Sequence, residues 1–184
     1  MTLLETSARL EENADLHIAR LLILIGTFSG MEGNKTVNGL TKLAKLDFLL
    51  RYPIYLERAL EVKSVSKAEA EVKQYERQNI ESTMVRYRYG PWNFRYRRFL
   101  NTLIGKGLVH VKIENRTTKI GITEKGLRIY TELIDIEDFQ DFFKRAKLLK
   151  RNFNWSGTNL MKFIYKTFPE ITTLRLGERI EYEY

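Results

Sequence analysis

Residues 105–123 limit the possible folds more than any other stretch. Gly105 and Gly107 interrupt the chain, and Leu108 to Ile113 then alternates, with Val109, Val111 and Ile113 on one face. Glu114-Asn115-Arg116-Thr117 forms a polar tip, and Thr118 to Ile122 returns with Ile120 and Ile122 facing the same way. This is a β-hairpin. Apolar residues at helical spacing precede it (Trp92, Tyr96, Phe99, Leu100, Leu103 and Ile104). Thr123 then caps a further helix to about Ile134, with Leu127, Tyr130 and Ile134 turned inward. Hairpin and flanking helices support one another.

The upstream half reads as helices. Asn13 is a plausible N-cap for a helix to about Phe28 whose Leu16, Ile18, Ala19 and Leu21–Ile25 leave little polar surface, so it belongs in the middle of the domain. Gly26, Gly30 and Gly33 are expected to break the chain into a loop ending near Asn38-Gly39. Leu40, Leu43, Leu46, Leu49 and Leu50 mark a second helix ended by Pro53, and Ile54 to Leu60 a short third. Ser66 and Glu69 at capping-box spacing, with the pairs Lys67/Glu71 and Glu69/Lys73, predict a solvated helix within 61–80. Val65, Ala68, Val72 and Tyr75 would form its thin apolar stripe. Met84 to Tyr89 alternates like a short strand, and Gly90-Pro91 suits a turn leading into the helix from Trp92.

Helices, a short strand, a helix, a hairpin and another helix give the order of a winged helix-turn-helix domain. The expected class is mostly α with a small β-hairpin (α+β), with residues 1–135 as the winged-helix domain and a charged helix inserted around 64–80. Residues 136–184 then form a C-terminal helical extension packed on or beside it. In that extension Asp135, Glu137, Asp138 and Asp141 precede Lys144, Arg145, Lys147, Lys150 and Arg151, a polarity that suits a helix dipole. Ser156 can cap a last helix carrying Leu160, Phe163, Ile164 and Phe168.

Composition removes most enzyme chemistry. The chain has no cysteine, which excludes disulfides, thiolate metal sites and cysteine nucleophiles. Its two histidines, His17 and His110, leave little scope for imidazole catalysis. Gly26 to Thr36 superficially resembles a phosphate-binding loop, but Asn34 separates Gly33 from Lys35 and the loop follows a helix. Glu137 and Asp141 share a helix face without a third metal ligand. His17 reads as an interior residue and His110 as an outward hairpin residue. No catalytic constellation, cofactor or metal site is expected. The mildly acidic N-terminus lacks the cationic start of a secretory signal, and the longest apolar run, Leu21 to Ile25, is far short of the ~20 residues of a membrane span. A soluble cytoplasmic protein is expected.

What remains is surface recognition. Lys plus Arg number 31 against 23 Asp plus Glu, a net charge of +8. Between Met84 and Arg98 stand Arg86, Arg88, Arg95, Arg97 and Arg98 with no acidic residue among them. Arginine's planar fork donates two parallel hydrogen bonds to phosphate. On the helix from Trp92, the side opposite the apolar stripe carries Arg98, Asn101 and Phe94, flanked by Arg95, Arg97 and Thr102. In a winged helix this face would enter a DNA groove, Arg98 and Asn101 reading base edges and Arg95 and Arg97 holding phosphates. Arg116, with Lys112 and Lys119, would reach a backbone from the wing. Phe94 beside arginines equally suits a protein partner. A solvated basic face paired with the chain's own acids is the plain alternative.

Three blocks carry a family likeness: Gly39 to Pro53 (GLTKLAKLDFLLRYP), Met84 to Trp92 with its Tyr89-Gly90-Pro91-Trp92, and Gly157 to Phe163 (GTNLMKF). Together they resemble the middle component of bacterial ABC-three-component systems, the group that includes Lamassu-type anti-phage defence. The resemblance spans about Leu21 to Pro169. It implies a non-catalytic winged-helix accessory subunit that bridges an SMC/Rad50-like ABC ATPase and an effector, often a nuclease, with double-stranded DNA a further contact near the ATPase heads. The runner-up reading is a free-standing winged-helix transcriptional regulator.

Overall fold

The computed structural model describes residues 14–78, 85–87, 90–92 and 96–173. The first half contains α1 (Ala14–Ser29), β1 (Val37–Asn38), α2 (Leu40–Arg51), α3 (Pro53–Val62), a 3-10 turn (Lys67–Ala70) and α4 (Gln74–Gln78). A small hairpin of β2 (Val85–Tyr87) and β3 (Gly90–Trp92) leads to α5 (Tyr96–Gly105). Next come β4 (Val109–Glu114), β5 (Thr117–Ile122) and α6 (Glu124–Asp135). After a 3-10 turn (Glu137–Phe139), α7 (Gln140–Phe153), α8 (Gly157–Thr167) and α9 (Glu170–Thr173) complete the order.

The nearly all-apolar α1 is the central element. Every residue from Arg20 to Ser29 is buried, and α2, α5, α6, α7 and β5 all pack against this helix. Gly26 does not break it. The ring of Tyr130 from α6 lies so close that a Cβ on Gly26 would stand 2.5 Å from Tyr130 Cδ2. The glycine seats one helix against another, and α1 runs on to Ser29. The expected cap, Asn13, lies outside the described residues.

The sheet is antiparallel with order β1-β5-β4. Val37 faces Ile120, Val109 faces Ile122, Val111 faces Ile120 and Ile113 faces Thr118. Residues directly opposite share a sheet face, so Val37, Val109, Ile120 and Ile122 form its buried end. Val111 and Ile113 continue that face beyond the core and are 36% and 78% exposed. The hairpin overhangs the domain. Its base is tied to α6 by Thr123, whose hydroxyl accepts the Gly126 N–H at 3.0 Å and donates to the Gly107 carbonyl at 2.7 Å. Gly126 touches the chain entering β4: a Cβ there would stand 1.9 Å from the Leu108 carbonyl oxygen.

Two further expectations are corrected. Gly90-Pro91-Trp92 is a strand, pairing Val85 with Trp92 and Tyr87 with Gly90, so the following helix begins at Tyr96 and not at Trp92. Residues 61–80 do not form one solvated helix. The Lys67–Ala70 turn ends at Glu71 in the left-handed region (φ 46°), and α4 spans only five residues. Ser66 makes no side-chain cap, and the pairs Lys67/Glu71 and Glu69/Lys73 do not form. Instead Lys67 bonds Glu61, while Glu69, Glu71, Lys73 and Glu76 bond Arg151, Lys144, Asp141 and Arg145 of α7. Arg145, nearly fully buried, anchors the segment. It grips Glu76 with two bonds of 2.7 Å and donates to the Ala70 carbonyl at 2.9 Å and the Glu71 carbonyl at 3.1 Å.

Residues 136–173 contribute to the same hydrophobic core. α7 packs on α1 and α2, and α8 on α2 and α3, placing Phe153, Leu160, Ile164 and Phe168 at full burial. The Ser156 hydroxyl caps α8 by accepting the Asn159 N–H at 3.2 Å. Among the described residues, no helix is long and apolar enough to cross a membrane.

Candidate nucleic-acid interface

α5 presents one face to the core and the other to solvent. Tyr96, Phe99, Leu100 and Leu103 are buried, whereas Arg97, Arg98, Asn101 and Lys106 just beyond the helix are exposed. The buried face rests on a polar cluster. Arg20 donates to both oxygens of Asp47, Nε to Oδ1 at 2.9 Å and Nη2 to Oδ2 at 3.2 Å. Its Nη1 lies 2.9 Å from His17 Nδ1. Because a guanidinium only donates, Nδ1 is the acceptor, and a neutral His17 carries its proton on Nε2. The His17 ring stacks on Phe99 of α5 at 5.1 Å between centroids. Burial works against the Arg20 charge, but Asp47 outweighs it and holds the guanidinium above its ordinary value. Tyr96 is pushed well up, first by burial and then by the Asp47 charge. The result is a fixed seat for the exposed face of α5.

At the tip of the β4–β5 hairpin, Asn115 and Arg116 occupy the two loop positions between the paired Glu114 and Thr117, with φ of 49° and 65°. Positive φ at both central residues is the type I′ signature, which glycine ordinarily fills at the second place. Here an arginine fills it, and its side chain is exposed. On the outward face of the hairpin Lys119 pairs with Glu114, whose carboxyl is held below its usual range by that bond. The His110 ring, half-buried, lies over Gly121, where the opposite strand has no side chain to compete.

Most of the ion pairs among the described residues lie away from this surface. Arg20, Arg58, Lys67, Lys73, Arg77, Lys144, Arg145 and Arg151 each engage a carboxylate, all outside the α5–hairpin unit. Arg97, Arg98, Lys106, Lys112 and Arg116 form no ion pair with any described residue. Of the sequence-predicted site residues, Arg97, Arg98 and Asn101 share the exposed side of α5, and Arg116 stands at the tip of the β4–β5 hairpin. Arg86 belongs to β2, with its side chain outside the described part, and Arg88, Phe94 and Arg95 lie outside the described residues. Sequence reasoning missed Lys106, which follows the helix end, and the Arg20–Asp47 pair, whose partners are 27 residues apart. Among the described residues no cluster of histidine and acidic side chains could hold a metal ion.

No protein-family model, no curated protein and no solved structure matches the chain.

Proposed function

We propose that the chain is a winged-helix module without chemistry of its own, which lays α5 and the β4–β5 wing on the phosphate backbone of duplex DNA. In this reading α1, α2 and α5 are the three helices and β1-β5-β4 the wing sheet. The observation that carries it is the placement of charge: Arg20, Arg58, Arg77, Arg145 and Arg151 are each matched by an acid, while Arg97, Arg98 and Lys106 on and just after α5, with Lys112 and Arg116 on the hairpin, form no ion pair with any described residue. A rigid seat beneath α5 supports the same reading, since a groove-reading helix must be held in one orientation.

The second reading concerns partners. Ile104, Val111 and Ile113 are 39%, 36% and 78% exposed on the same helix-and-hairpin unit, and apolar groups beside arginine are typical of protein interfaces. Combined with the family resemblance, this favours an accessory subunit that bridges an SMC/Rad50-like ATPase and an effector while touching DNA, working in the cytoplasm. Two measurements test the proposal. Duplex affinity should fall with salt by about 0.9 in log–log slope for each phosphate neutralised, and Arg97→Glu with Arg98→Glu should abolish it while the melting temperature holds. Co-expression with neighbouring gene products should recover an ATPase-containing complex. A symmetric dimer binding one duplex sequence by itself would support the regulator instead, and absence of both DNA and partner binding would end the reading.

A further inference from the structure

A cleft of about 750 Å³ opens where the end of α1, α6, α7 and the Lys67–Ala70 turn meet. That volume lies within the roughly 300–1,000 Å³ of small-molecule sites. Four cations of α7 line it (Lys144, Lys147, Lys150 and Arg151), with Phe143 and Leu148 as apolar neighbours. Two of the four are neutralised, Lys144 by Glu71 at 2.8 Å and Arg151 by Glu69. The other two form no ion pair with any described residue. Lys147 stands over the Phe143 ring, 5.2 Å from its centroid. Lys150 is half-buried and donates to the Thr27 carbonyl at 2.7 Å, which leaves two of its three N–H groups unassigned. Burial, and then the charge of Lys35, lower the Lys150 ammonium below its ordinary value. A helix dipole accounts for basic residues near the end of α7, but not for two ammoniums without a carboxylate partner lining one cleft beside Phe143.

We propose that this cleft binds a small organic phosphate of nucleotide type, its phosphates on Lys147 and Lys150 and its ring against Phe143. An inorganic anion would leave the apolar part unused, and an uncharged ring would leave the two lysines unmatched. The site is separate from the α5 face, so the proposal stands or falls independently of DNA binding.

Isothermal titration of the full chain with ADP tests it. ADP should bind saturably, with adenosine and inorganic pyrophosphate each weaker by at least about tenfold, because each satisfies only half of the cleft. Lys147→Glu should weaken ADP by at least about tenfold without lowering the melting temperature, as Lys147 is exposed and forms no ion pair. Phe143→Leu should weaken ADP several-fold and leave pyrophosphate unchanged. Arg97→Glu with Arg98→Glu should leave ADP binding intact. The proposal is overturned if ADP does not saturate, if pyrophosphate binds as well as ADP, if Lys147→Glu has no effect, or if the α5 substitutions remove the binding.

Discussion

Replacing Arg116 with glycine should make the protein more stable and worse at binding DNA. The residue sits at φ 65°, directly after Asn115 at φ 49°, in a two-residue loop fixed by the Glu114–Thr117 pair. Left-handed backbone costs a side-chain-bearing residue about 1–2 kcal/mol. Glycine removes that cost but returns about 0.5–1 kcal/mol through the greater freedom of the unfolded chain. The net gain is about 0.5–1 kcal/mol. Arg116 forms no ion pair with a described residue, so no contact is lost to offset it. For a chain of 184 residues, where about 1 kcal/mol moves the midpoint by roughly 2–4 °C, the melting temperature should rise by about 1–4 °C. Duplex binding should weaken, and its log–log salt slope should shrink by about 0.9, the loss of one phosphate contact. Arg116→Lys, which keeps both the charge and the backbone demand, should change neither quantity appreciably. Thermal melts and fluorescence anisotropy over a salt series measure the two effects on the same samples. A lower melting temperature for Arg116→Gly would refute the strain argument. A raised one with an unchanged salt slope would remove the β4–β5 hairpin from the proposed DNA contact.

Three further substitutions and a pH series probe the remaining structure. Gly26→Ala drives a methyl group into the Tyr130 ring, 2.5 Å away at its nearest atom, and should cost about 1–3 kcal/mol in a denaturant titration. Arg145→Met strips two carbonyls and Glu76 of their buried donor. It should cost about 3 kcal/mol and open residues 67–78 to limited proteolysis before the rest of the chain. Burial lowers the Lys45 ammonium to about 8. Between that value and the unfolded value of about 10.4, the unfolded chain holds a proton the folded chain has released, so stability rises with pH. Tyr55 acts in the opposite sense. Burial, and then Glu170, push its hydroxyl to about 12, so from about pH 10 to 12 the unfolded chain loses a proton that the folded chain keeps, and stability falls. The melting temperature should climb from about pH 8, crest near 10 and then drop, and Lys45→Met should flatten the climb while sparing the descent.

Local forces are legible in the sequence, and forces between distant segments are not. The alternation of Val109 to Ile122, the Thr123 cap and the apolar surround of α1 are written within a few residues of one another, and each appears where expected. Helix α5 keeps its buried stripe from Tyr96 to Leu103, although its start moves because β3 takes Trp92 into a hairpin. The 61–80 segment misleads for a definite reason. Its charges are spaced to pair within a helix, at a few tenths of a kcal/mol each, but the fold brings α7 alongside with five basic residues. Cross-chain bonds such as the double Arg145–Glu76 contact are stronger than those local pairs. His110 stands on the outward face, as its place in the alternation predicts, yet it is half covered because its cross-strand neighbour is Gly121. Alternation also sets the facing of Val111 and Ile113 without revealing that the hairpin outruns the core beneath it.

The charge balance bears on function once the ion pairs are located. A surplus of +8 scattered evenly would be an unremarkable solvated surface, since isolated exposed pairs contribute little either way. The ion pairs, however, are not evenly spread. The acids of the 3-10 turn and α4 bind the basic side of α7, where they fix an otherwise irregular segment, and Asp47 is committed to Arg20 under α5. On the exposed side of α5, just beyond it and on the β4–β5 hairpin, Arg97, Arg98, Lys106, Lys112 and Arg116 form no ion pair with a described residue, as is also true of Lys147 and Lys150 on α7. The set on α5 and the hairpin, one member of it in a left-handed backbone position, has no carboxylate partner among the described residues. It is consistent with a surface shaped for an anion outside the chain. The buried His17–Phe99 stack and the Arg20–Asp47 pair then hold the helix bearing those cations in one orientation, so that partner binding need not supply the ordering.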